Sequence, residues 1–146
     1  MVVRLTIIMK IILTAISFIL VASIATAVCL NGNPSVPEEY ANSQSVFTGK
    51  VIKKTDIPES DNYYDGNNYT IQVQQIFKGK PKTRVVIFSE NSSGRFPMTV
   101  GSTYIIFLHF ELGRYQISNC GNSGVLSEKQ DTLQAVRQLN KNETNK

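Results

Sequence analysis

Thr103-Tyr104-Ile105-Ile106-Phe107-Leu108-His109-Phe110 is the stretch on which the fold turns. It is the most apolar segment beyond the first 27 residues, rich in aromatic and β-branched side chains, and it reads as the central strand of a sheet. Leu112-Gly113 then turns the chain into Arg114 to Asn119, where Tyr115 and Ile117 alternate with polar neighbours as in a half-buried strand. Upstream, Asn91 to Gly101 holds two glycines and a proline and reads as loop.

Further upstream the same period recurs. Arg84 to Ser89 carries Val85-Val86-Ile87-Phe88, an apolar run expected to be buried on both faces. Lys78-Gly79-Lys80-Pro81 is a turn by composition. Before it, Tyr69, Ile71 and Val73 alternate with Thr70, Gln72 and Gln74 in a strand that reaches Ile76-Phe77. Asp56 to Asn68 is polar, with Pro58, Gly66 and four acids, and is expected to be a loop. Ser45 to Lys54 is the first strand, with Phe47, Gly49 and Val51 on one face and Gly49 marking a bulge or a close backbone approach. Leu30 to Glu39 shows no periodicity and reads as an extended lead-in.

The C-terminus changes character. Ser127 with Gln130 three residues later forms a capping-box pattern, and Leu133, Val136 and Leu139 follow at near-helical spacing. One helix is therefore expected over about Glu128 to Asn140, with a frayed polar tail. Five strands, uneven loops and a terminal helix give an all-β fold class. The expected architecture is a five-stranded Greek-key barrel of the OB-fold type with a C-terminal α-helix.

The N-terminus fixes the compartment. Arg4 and Lys10 precede an apolar stretch from Ile11 to Ile24, and Ala25-Thr26-Ala27 is a small-x-small cleavage pattern. Residues 1–27 are read as a signal peptide, 28–126 as the barrel and 127–146 as helix and tail, in a secreted or periplasmic protein with no membrane attachment after cleavage. The chain carries 15 Lys and Arg against 11 Asp and Glu, and two of those cations, Arg4 and Lys10, belong to the signal. So mild a balance does not make a nucleic-acid footprint. Cys29 and Cys120 are the only cysteines, and in an oxidising compartment they read as one disulfide.

Nothing in the chain points to an enzyme, a cofactor or a metal of its own. His109 is the only imidazole, and no nucleophile is assigned to it by spacing; a packing or rim role is expected. Gly121-Asn122-Ser123-Gly124 is not the Gly-x-Ser-x-Gly of a nucleophile elbow. Lys78, Lys80, Lys82 and Arg84 read as a solvated turn, and the spacing of Asp56, Glu59, Asp61 and Asp65 matches no calcium-loop motif.

Four pieces occur in order: Phe47-Thr48-Gly49-Lys50-Val51, Ile76-Phe77-Lys78-Gly79, Gly101 to Leu108, and Tyr115-Gln116-Ile117-Ser118-Asn119-Cys120. The set resembles the inhibitory domain of the tissue inhibitors of metalloproteinases, and more broadly the netrin-like modules, from Cys29 to about Gly124. The resemblance implies an OB-fold and a metalloendopeptidase inhibitor whose N-terminal segment enters the protease cleft, where a free amine and carbonyl chelate the catalytic zinc. In that family the terminal residue is the first cysteine of a Cys-x-Cys pair. Here Cys29 and Cys120 match the second cysteine and its partner, the first position falls on Ala27, and cleavage would leave Val28 as the free amine. The implied contact residues are Val28, Cys29 and Leu30, with Tyr63 and Tyr64 from the first long loop. The partner is a zinc metalloproteinase or another extracellular protein. The alternative is a secreted, non-inhibitory binding module of the netrin-like type.

Overall fold

The computed structural model describes residues 29, 32–58 and 64–145. In chain order it comprises α1 (Val36–Asn42), β1 (Ser45–Pro58), β2 (Tyr64–Lys78), β3 (Arg84–Glu90), β4 (Thr103–Glu111), β5 (Arg114–Gln116), β6 (Gly124–Val125), a 3-10 turn (Leu126–Glu128) and α2 (Gln130–Thr144). The strands form an open antiparallel sheet in the order β3-β2-β1-β4-β5, with β6 paired to β4. The protein is thus mostly β with a C-terminal helix.

Phe47, Val51, Ile71, Val85, Ile87, Ile106, Leu108 and Ile117 form one buried cluster, with Val73 packed against it. A second cluster lies on the other side of the sheet, where Val46, Phe77, Ile105 and Phe107 meet Tyr40 of α1 and Leu133 and Val136 of α2. The two clusters explain why β4 is apolar at consecutive positions. Its odd and even residues face different cores, and the helices cover the face that would otherwise meet water. The middle strand of the order is β1, not β4, and β1 is buried on both sides over Ser45–Gly49 for the same reason.

Gly49 meets its expectation. The β1–β2 register shifts between Thr48 and Gly49, and a Cβ there would lie 2.5 Å from Ile71 Cγ2 and 3.1 Å from the Gln72 carbonyl. No side chain fits between the two strands at that point.

Several expectations need correction. The lead-in is helical over Val36–Asn42: Ser35 caps it, its hydroxyl accepting from the Glu38 amide at 3.4 Å, and Pro37 sits in the first turn. The polar stretch expected to be a loop is mostly strand, since β1 runs to Pro58 and β2 begins at Tyr64, paired in register over Ile57↔Gly66, Asp56↔Asn67 and Thr55↔Asn68. Backbone pairing carries these arms although their side chains are polar, and β2 gains a second partner in β3, down to Gly66↔Glu90. The β3 strand is not buried on both faces: Val85, Ile87 and Ser89 are buried, whereas Arg84, Val86 and Glu90 are exposed. The fifth strand stops at Gln116, so Ile117 reaches the core from beyond its end. The capping box at Ser127 does not form, because Leu126–Glu128 is a 3-10 turn and Lys129 occupies the N-cap of α2 without a side-chain bond. The helix also runs four residues past Asn140.

Candidate functional site at the disulfide-tethered N-terminal segment

Cys29 and Cys120 are bonded, with Cα atoms 5.8 Å apart across 91 positions of sequence. A bond across so long a loop constrains the unfolded chain strongly, about 4–5 kcal/mol in the chain-entropy account. It also pins the segment before α1 to the chain leaving β5. The Gly32 amide closes a turn onto the Cys29 carbonyl at 2.9 Å.

A buried carboxylate reinforces this tether. Glu39 lies on α1 and is 3 % exposed. Its Oε2 accepts from the Asn122 amide at 2.5 Å and from Asn122 Nδ2 at 2.7 Å. Asn122 Nδ2 also donates to the Pro34 carbonyl at 2.9 Å, so one side chain joins the lead-in, the helix and the turn after Cys120. Glu39 Oε1 has no hydrogen-bond partner among the described residues and stands 3.7 Å from His109 Nε2. A protonated imidazole there would form an ion pair in a poorly hydrated setting, where charge pairing counts for more than at the surface. A Cβ at Gly121 would overlap the Glu39 carboxylate, which would have to shift.

Ser123, next in the chain, is buried, and its hydroxyl accepts from the Phe107 amide at 2.9 Å. The Gly121–Gly124 segment is therefore docked onto β4 by the Ser123 hydroxyl and by the pairing of Gly124 with Ile105. His109 is part-buried and lines a cavity of about 430 Å³ together with Ser93, Glu111, Gln116, Ser118 and Cys120. The cavity opens directly beside the tether. Among the described residues no group of three or more His, Cys, Asp or Glu could hold a metal ion.

Of the residues expected to contact a partner, the structure brings Cys29 to Cys120. Val28, Leu30 and Tyr63 lie outside the described residues, as do residues 1–27. Tyr64 opens β2 opposite Pro58, and its side chain also lies outside what is described. Of the acids in the first hairpin, Asp56 pairs with Lys54 at 3.7 Å and Asp65 with Arg114 at 3.5 Å, while Glu59 and Asp61 lie outside the described residues.

The sequence reading passed over Glu39. Nothing distinguishes it from Glu38 until α1 is recognised, when Val36, Glu39 and Tyr40 fall at helical spacing on one face. The Ser35-x-x-Glu38 pattern with Pro37 was the signal that could have found that helix. Lys78, grouped by sequence with the basic turn, instead donates to the Tyr40 and Ala41 carbonyls at 2.6 and 2.7 Å and lies 5.3 Å from the Tyr40 ring centre. It caps the C-terminal end of α1. No family model matches the chain, and no curated protein matches it.

Proposed function

We propose that the protein is exported and acts as an inhibitor of a zinc metalloproteinase, presenting the segment around Cys29 as a wedge, in the manner of the tissue inhibitors of metalloproteinases. The observation that carries this reading is the double fixation of that segment, by Cys29–Cys120 and by Asn122 bridging Glu39 and the Pro34 carbonyl. A wedge binds tightly only if its conformation is set before binding, because ordering it afterwards costs free energy. Buried polar bonds and a disulfide at a chain terminus serve such a purpose.

The sheet order supports the OB-type barrel within the same reading. The two edge strands, β3 and β5, approach each other through side chains, with the Arg114 guanidinium 4.4 Å from the Phe88 ring centre. A five-stranded barrel would close along that seam. Removal of residues 1–27 would free the Val28 amine one residue ahead of the tether.

The test uses the mature chain, residues 28–146, against a panel of zinc metalloproteinases. Inhibition at micromolar concentration or better is expected, and it should vanish when Val28 is acetylated or preceded by one extra residue. Absence of inhibition across the panel would overturn the reading in favour of the non-inhibitory binding module. That second reading draws on one observation, the single cysteine at the N-terminal end.

A further inference from the structure

We infer that the gap at one end of the β3–β5 seam is a binding site for a small amphiphile, an anionic head on a single apolar chain. The cavity measures about 500 Å³, within the range of about 300–1,000 Å³ found for small-molecule sites. Two core side chains form its floor: Val85, 5 % exposed, and Leu108, 1 % exposed. Tyr115 forms one wall. Lys80, Lys82 and Arg84, all exposed, stand around the opening, and no acidic residue lines it.

The cavity exists because of the sheet order. β3 and β5 are the two edges and share no ladder, so the interior is reachable between them where β3 begins. Farther along the seam Arg114 lies over Phe88 and pairs with Asp65 at 3.5 Å, beside a smaller hollow of about 330 Å³. The open end has no such cover.

The charge pattern selects the ligand. Lys80 and Lys82 make no hydrogen bond or ion pair among the described residues, and Arg84 donates only to the neutral Gln72 Oε1 at 3.3 Å. Lys54 and Arg114, by contrast, are paired with Asp56 and Asp65. Three unmatched cations over an apolar floor attract an anion that carries an apolar body. A neutral chain would leave them unused, and a cation would be repelled. The cavity beside Cys120 differs in having Glu111 in its wall, which disfavours such a ligand there. This site is independent of the N-terminal segment and of any protease.

Decanoate, decanol and decyltrimethylammonium, each below its solubility or micellar limit, are the probes, titrated into the mature chain by calorimetry and methyl NMR. Decanoate is expected to bind saturably, shifting the Val85 and Leu108 methyl resonances, and at least tenfold more tightly than either of the others. Its affinity should fall as ionic strength rises, since an exposed cation rim is screened by salt. The triple variant Lys80→Glu, Lys82→Glu, Arg84→Glu should lose at least tenfold in decanoate affinity with the core methyl spectrum unchanged. If that variant does not fold, the salt dependence of the parent decides the matter. Decanol binding as tightly as decanoate, affinity indifferent to salt, or no saturable shift at Val85 and Leu108 would overturn the assignment.

Discussion

Glu39 shows how much one buried side chain can organise. A carboxylate removed from water needs hydrogen bonds to offset its lost hydration, and both bonds to Oε2 come from Asn122. Asn122→Ala removes the Nδ2 donor and the link to Pro34 together. It should destabilise the protein by about 2–4 kcal/mol, because a buried charge left under-paired costs more than a neutral group. Chemical denaturation at neutral pH measures it; a loss below about 1 kcal/mol would show that the lead-in is not held by this residue. Tyr40 offers a second test. Its hydroxyl donates to the Phe77 carbonyl at 2.9 Å and lies 3.1 Å from Glu143 Oε2. Burial, with the Glu143 hydrogen bond and charge adding to it, pushes its pKa up from 10.0 to about 12. The fold therefore favours the neutral phenol. That contribution is complete below pH 10, where folded and unfolded chains are both protonated, and declines between about pH 10 and 12 as the unfolded chain ionises first. The decline amounts to about 2–3 kcal/mol, and Tyr40→Phe should abolish it, as denaturation followed across that range would reveal.

At the scale of elements, the β4–β5 hairpin carries a visible conflict. Its two-residue turn places Leu112 at φ 51° and Gly113 at φ 78°, and Leu112 is 96 % exposed. Positive φ at both central positions suits Asn-Gly, and leucine is strained there without burial to compensate. Leu112→Asn should raise stability by about 0.5–1 kcal/mol, measured by thermal or chemical melting. An unchanged or lower stability would mean that Leu112 makes a contact the turn depends on. Strand β2 was legible because the period-two alternation of Tyr69, Ile71 and Val73 reports directly on a half-buried sheet. The elements that were misjudged failed for physical reasons. Val85 to Phe88 is apolar throughout, yet Val86 faces the open seam, 50 % exposed, because no neighbour covers an edge strand. The arms 55–58 and 64–68 are polar, and only their ladder partners make them strands. Helix α1 was hidden by its seven-residue length and by Pro37, which reads as a breaker away from a helix start. Ser127 advertised a cap that Leu126–Glu128 pre-empts by turning as 3-10.

The whole molecule is a sheet with two cores, and the two cores divide its surfaces. The helices α1 and α2 seal one face. The other core is closed at its edges by β3 and β5, which leave a gap floored by Val85 and Leu108. The lead-in enters where Cys29, Asn122 and Glu39 converge. Only part of that convergence was readable in advance. Two lone cysteines announce their pairing, whereas Glu39 and His109 are 70 positions apart and meet only through the packing of α1 against β4. We propose that fixation of the Cys29 segment by the disulfide is what would let the chain inhibit a protease. The test compares the inhibition constant of the mature chain with that of the Cys29→Ser, Cys120→Ser variant on the same zinc metalloproteinase, at a temperature where both are folded. Loss of the tether should weaken inhibition at least tenfold while the folded signal persists, because the wedge would then be ordered only on binding. Equal inhibition by both forms, or none by the parent, would contradict the account.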